Sequence, residues 1–175
     1  MITTDLKLLL DQCSKDPHNH TLKLIAADCA EIDNNLISLG WFLRWSHETR
    51  LAPLFTGSRC YGTPRPESDW DWVIKIQQYP QKVLVSHADE VTEKEKDQYP
   101  DGGYEGSNRL DRALRFGPVN LICCSSTMQY QAWCNGTRYL TEQAPVTRKK
   151  AIETFQRMWE HEVAIRDAEL AMQMT

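Results

Sequence analysis

Residues 54–76 read LFTGSRCYGTPRPESDWDWVIKI, and the fold turns on how this stretch divides. Residues 51–56 form a short apolar run that predicts a first strand delivering Gly57-Ser58 at its end. A linker of small, basic and turn-forming residues follows, in which Pro64 and Pro66 prevent a helix or turn begun at Cys60 from going far. Residues 69–76 predict a second strand. Its alternate side chains point to opposite faces. Asp69 and Asp71 then share one face, with Cα atoms roughly 6.5 Å apart, while Trp70, Trp72 and Ile74 share the other. Two carboxylates this close repel each other unless something positive sits between them. A divalent cation such as magnesium, which chooses carboxylate oxygens, is the cheapest such partner. The Gly57-Ser58 turn offers backbone N–H groups and a hydroxyl to a phosphate oxygen, and Arg59 follows directly. Phosphate binder, acidic pair and basic residue in one span point to phosphoryl or nucleotidyl chemistry. The plain structural alternative is a turn, a solvated loop and an acidic strand edge.

Gly57-Ser58, ten intervening residues and then Asp69-Trp70-Asp71 resemble the hallmark of the DNA polymerase β-like nucleotidyltransferase superfamily. That hallmark is a hydrophobic residue, Gly-Gly or Gly-Ser, a spacer of similar length, then Asp-x-Asp or Asp-x-Glu. The fuller run Gly57-Ser58-Arg59, Tyr61-Gly62-Thr63 and Ser68-Asp69 is similar to small nucleotidyltransferase domains, including phage-encoded ones. The resemblance implies an α/β chain of the α+β two-layer kind, a minimal nucleotidyltransferase fold in which a small mixed sheet is flanked by N- and C-terminal helices. It implies an NTP (ATP among them) with Mg²⁺ or Mn²⁺ as cofactor. Gly57, Ser58 and Arg59 would hold the β and γ phosphates and Asp69 and Asp71 the metal, and the NMP would pass to an acceptor. The acceptor is left open between nucleic acid such as tRNA, protein and small molecule.

The rest of the chain is read around that motif. Residues 4–13 predict a short amphipathic helix with Leu6, Leu9, Leu10 and Cys13 on one side, broken by Asp16-Pro17-His18-Asn19. From Thr21, apolar positions Leu22, Ile25, Cys29, Ile32, Leu36, Leu39 and Leu43 make a helical stripe. A coiled-coil seam is one reading of it; packing on the back of a sheet is the one favoured, because Gly40 interrupts the stripe. Trp41 and Trp45, one turn apart, are assigned to a core or interface rather than to base stacking. Residues 86–108 are acidic and glycine-bearing and predict a solvated helix followed by a mobile loop. Residues 109–124, RLDRALRFGPVNLICC, predict a β-hairpin turning at Gly117-Pro118. Residues 128–141 predict a helix with Asn135-Gly136 as its weak point. Pro145 and Thr147 open a final long helix with Ile152, Phe155, Trp159 and Val163 along one face. Arg148-Lys149-Lys150, the densest basic cluster, is assigned to a solvated first turn, with phosphate contact as its functional alternative.

In the superfamily a third acidic residue on a neighbouring strand completes a two-metal site. The matching position here is Asn120, a catalytic-site position that offers one carbonyl oxygen and no base near neutral pH. The phage-encoded domains that this stretch resembles also often read Asn-Leu-Ile at this place. If the hairpin turn has two residues, Arg115 faces Asn120 across it, which puts a cation near the vacated position and within reach of phosphate. Asp111 and Glu105 are weaker candidates for a substitute carboxylate. A chain retaining Gly-Ser and Asp-x-Asp but lacking the third carboxylate has a second reading. It is an impaired member that binds a nucleotide, nucleic acid or protein, for example in phage–host or toxin–antitoxin conflict.

Composition limits the classes. The chain has 175 residues with a net charge of −4, which suits one domain (residues 1–50 helical, 51–125 sheet and motif, 126–175 helical) and gives no general attraction to nucleic acid. The start of the chain does not read as a secretory signal and no stretch reads as a membrane span. A cytoplasmic location is expected, the host cytoplasm if the chain is phage-encoded. The six cysteines lack Cys-x-x-Cys spacing, so reduced, partly buried thiols are expected rather than a zinc site. His18 and His20 flank a turn-like segment with no third ligand in view and are assigned to the surface.

Overall fold

A computed structural model describes residues 2–75, 78–93, 112–124 and 126–174. In chain order these form α1 (Thr4–Lys15), α2 (His20–Ile32), α3 (Ile37–Glu48), β1 (Leu54–Thr56), α4 (Ser58–Tyr61), β2 (Trp70–Lys75), α5 (Gln78–His87), β3 (Glu90–Glu93), β4 (Arg112–Phe116), β5 (Val119–Cys124), α6 (Thr127–Glu142) and α7 (Arg148–Gln173). The strands make one mixed sheet in the order β1-β2-β5-β4-β3. Only the central β2–β5 pair is parallel. The result is an α+β fold, a small sheet flanked by N- and C-terminal helices.

Strand alternation sorts the core. Trp70, Trp72, Ile74, Leu121 and Cys123 face the amino-terminal helices, joining Leu6, Leu10, Phe42 and Leu43 in one cluster. Val73, Ile122 and Cys124 face the other way and pack with Trp133, Leu140 and Phe155 of α6 and α7. The two buried tryptophans explain why α1 lies where it does. The Trp70 indole N–H donates to Asp11 at 2.7 Å and that of Trp72 to the Ser14 hydroxyl at 2.8 Å. A buried donor left without such a partner would cost roughly 1–3 kcal/mol. Helix starts follow the capping residues. Thr3, Asn19, Ser126 and Thr147 each accept a backbone N–H from the first turn of their helix, as the reading of Thr147 anticipated.

Three expectations are corrected. The continuous stripe from Thr21 is two helices, because Asn35 adopts a left-handed backbone at φ 52°, which asparagine tolerates. The face of α2 that enters the core is Lys23, Ala26, Ala27 and Ala30, whereas Ile25 and Ile32 are 49% and 79% exposed. The small face wins because α2 and α3 approach closely: a Cβ on Gly40 would lie 2.3 Å from Glu31 Cγ. Finally, residues 90–93 are an edge strand, not part of a helix; β3 pairs Glu90 with Arg115 and Val91 with Leu114. A short, charged edge of this kind discourages pairing with another chain. Most of the acidic stretch, with Glu105 and Asp111, lies outside the described residues, as does Ile76.

The hairpin turn is at Gly117-Pro118 as read, so Arg115 pairs with Asn120. Gly136 does not break α6. A Cβ there would lie 2.6 Å from the Phe155 ring, so the glycine lets α7 dock closely. Trp41 and Trp45 are half-buried against the core, and Trp41 stacks on His87 with ring centroids 3.8 Å apart. The six cysteines remain thiols. Among the described residues, no helix is long and apolar enough to cross a membrane.

Candidate functional site

The site begins where β1 ends. Thr56 lies opposite Asp71 in the β1–β2 ladder, and its hydroxyl is paired at 2.8 Å with that of Thr137 in α6. The strand end is thereby pinned to the helix behind it. Gly57 then turns the chain with φ 82° and ψ −171°, a region essentially reserved for glycine. Its carbonyl accepts the N–H groups of Cys60 and Tyr61 at 2.9 and 3.1 Å, which starts the single turn of α4. The glycine is also demanded by contact. A Cβ at this position would lie 2.1 Å from Asp71 Oδ2, so the Asp71 carboxylate rests directly against the corner.

On the β2 side, Asp69 stands just ahead of the strand. It is fixed by the Trp70 N–H, which donates to the Pro118 carbonyl at 3.0 Å in the β4–β5 turn. Asp71 lies within β2, paired in register with Asn120 of β5. The Asn120 amide nitrogen donates to Asp71 Oδ1 at 3.0 Å. Next along the same row, Arg115 points two guanidinium N–H groups at Asp69, with distances of 3.1 and 2.9 Å to its two oxygens. The fork to Asp69 keeps the Arg115 guanidinium protonated above its ordinary range, opposed by partial burial and aided by the charges of Asp69, Glu90 and Asp71. Arg115 therefore lies on the same face as Asp69, as the two-residue turn required.

A cavity of about 550 Å³ opens beside these pieces; Arg115 is not among the residues that line it and meets it only through Asp69. Gly57, Ser58, Asp69, Asp71 and Asn120 form one wall; Thr147, Arg148 and Ile152 form the facing one. The facing wall is brought there by the Val146 N–H, which donates to the Tyr61 carbonyl at 2.8 Å and ties the start of α7 to the end of α4. Ligand cavities of roughly 300–1,000 Å³ hold small molecules of nucleotide size. Arg148 is exposed in the first turn of α7, as expected, and also lines this cavity, while Lys149 and Lys150 line a separate groove with Glu153 and Arg157. The sequence signal was the basic cluster itself, but nothing in it told which of three adjacent cations borders this cavity.

Arg59 is a correction. Its guanidinium donates to the carbonyls of Arg65, Pro66 and Ser68 at 2.8–3.3 Å and lies 3.7 Å over the Trp70 ring. It organises the linker that carries Asp69 and is not among the cavity-lining residues.

Among the described residues no three His, Cys, Asp or Glu side chains gather as a metal site. The donor set nevertheless suits one hard cation. Two carboxylates share the cavity wall with an amide, and Mg²⁺ commonly binds through one or two carboxylates plus phosphate oxygens and water. No protein-family model, curated protein or solved structure matches this chain.

Proposed function

We propose that this chain is a nucleotidyltransferase-like protein that binds an NTP with Mg²⁺ or Mn²⁺ in the cavity between Gly57 and α7 and transfers the NMP to an acceptor. The single observation that carries this reading is the convergence of Gly57-Ser58, Asp69, Asp71 and Arg148 on one cavity of about 550 Å³. Ser58, through its hydroxyl and backbone N–H, would donate to the phosphate tail, with Arg148 contributing a charge-assisted contact from the opposite wall. Asp69 and Asp71 would hold the cation, which when bound neutralises phosphate oxygens and stabilises the charge of the displacement. The acceptor oxygen bonds to the α-phosphorus, the bond to the bridging oxygen of the β-phosphate breaks, and pyrophosphate leaves. Asn120 takes up no proton, so the acceptor's proton passes to solvent.

One observation favours the second reading, a nucleotide-binding protein impaired in transfer. Both carboxylates are engaged by this chain's own side chains, Asp69 by Arg115 and Asp71 by Asn120. The two readings separate on incubating the protein with α-labelled NTPs, Mg²⁺ or Mn²⁺, and a lysate. Label on RNA, protein or a small molecule means transfer, and binding without label transfer means the impaired form. For either reading, Asp69→Asn with Asp71→Asn should abolish metal-dependent NTP binding while circular dichroism stays unchanged. Undiminished calorimetric binding in that double variant would refute the site.

A further inference from the structure

We infer that Arg115 takes the place of a second divalent cation, so that the site holds one such ion with each nucleotide. The inference rests on the nucleotide reading above and concerns its charge composition. Arg115, Asn120 and Asp71 lie in a single transverse row, since β4–β5 pairs Arg115 with Asn120 and β5–β2 pairs Asn120 with Asp71. A carboxylate at the middle of that row would hold a second ion between itself and the aspartates. The middle position is instead an amide that donates to Asp71, and the neighbouring position supplies a permanent positive charge on both oxygens of Asp69.

Charge counting points the same way. Asp69 and Asp71 with Glu90 behind them, set against Arg115 and Arg148, leave a single negative charge around the cavity. One divalent cation turns that into a single positive charge facing a polyphosphate. A second would raise it to three, and the described residues lining the cavity include no further carboxylate to hold it. The guanidinium is also buttressed from behind, its Nε lying 3.9 Å from Glu90 Oε2 on the edge strand. It is thus held between Asp69 and Glu90, directly behind the carboxylate that lines the cavity. A planar guanidinium offers paired donors that match phosphate oxygens as well as carboxylate ones.

The test counts ions and needs no turnover. Wild-type protein is dialysed to equilibrium against Mn²⁺ and an equimolar mixture of α,β-methylene analogues of the four NTPs, and the excess Mn²⁺ on the protein side is measured by electron paramagnetic resonance. About one Mn²⁺ per chain is expected, rising to about two in Arg115→Ala/Asn120→Asp, which restores a carboxylate and removes the cation. Two in the wild type would overturn the inference while leaving the nucleotide reading intact. A folded double variant that stays at one would also overturn it, and none in the wild type would sink both. The wild-type count decides by itself if the double variant does not fold.

Discussion

Replacing Gly57 by alanine tests the architecture of the site at its tightest point. The Gly57 backbone, at φ 82° and ψ −171°, costs a residue with a side chain about 1–3 kcal/mol. The new methyl would also fall 2.1 Å from Asp71 Oδ2 and 2.8 Å from its Cβ and Cγ. Asp71 must then move, and its hydrogen bond from Asn120 at 3.0 Å is lost, for about 1 kcal/mol more. The expected total is roughly 2–4 kcal/mol, which a domain stabilised by about 5–15 kcal/mol survives folded. Urea unfolding measures it, and a double-mutant cycle with Asp71→Ala divides it. Truncating Asp71 removes the contacts to Oδ2 and Cγ but leaves the 2.8 Å approach to Cβ and the backbone conformation, so the two substitutions should couple by about 1 kcal/mol. In parallel, Gly57→Ala should lose measurable binding of α,β-methylene NTPs with Mn²⁺. A cost below about 0.5 kcal/mol, or energies that add with no coupling, would refute the claim that the corner and the carboxylate are built against each other.

Lys23 is buried, 1% exposed, and burial pushes its ammonium down to about 8 from an ordinary lysine value of about 10.4. A depressed lysine value means the charged form is disfavoured in the folded state. Wild-type stability is therefore reduced below pH 8 and recovers as pH rises toward about 10. Lys23→Met should stabilise the protein by up to about 3 kcal/mol at pH 7, with the advantage shrinking across that window in urea titrations. The substitution removes the hydrogen bond from the Lys23 ammonium to the Leu51 carbonyl, which keeps the Ser46 hydroxyl as a donor at 3.3 Å, and a variant less stable than wild type at pH 7 would contradict the argument. Arg59→Ala should return the linker carbonyls to water, cost about 0.5–1.5 kcal/mol, and open residues 63–68 to limited proteolysis, while Arg59→Lys should rescue only part of this because it lacks the planar fork.

The centre of the fold was legible because its signals are local and periodic. Alternation at Asp69, Trp70, Asp71 and Trp72 fixed which face meets the helices, and the two-residue turn at Gly117-Pro118 fixed the pairing of Arg115 with Asn120. What escaped depends on distant partners. The buried side of α2 is decided by how close α3 comes, which favours alanines over the larger Ile25 and Ile32. Strand β3 is polar because it is an edge, so its composition resembles a solvated helix. Arg148 is set into the cavity by a hydrogen bond between Val146 and Tyr61, two residues whose sequence separation carries no hint of contact. Arg59 sits next to the glycine corner in sequence, yet carbonyls of the following linker and the Trp70 ring claim its guanidinium first.

The acidic pair has a purely structural explanation, in which Asp69 balances Arg115 and Asp71 satisfies Asn120. That explanation leaves Gly57 unaccounted for. Both pairs are half-exposed, with Arg115 and Asp69 side chains 38% and 37% accessible, and surface ion pairs of this sort contribute about 0–1 kcal/mol. A sheet wanting only stability would do as well with residues that leave β1 free to end in ordinary extended backbone. Instead the chain places its positive-φ glycine against Asp71, at a backbone region costly to every other residue, and aligns the opening of α7 across the same cavity. A local cost met at one corner, beside a cavity lined by two carboxylates and a cation, is the feature on which the proposed ligand site rests.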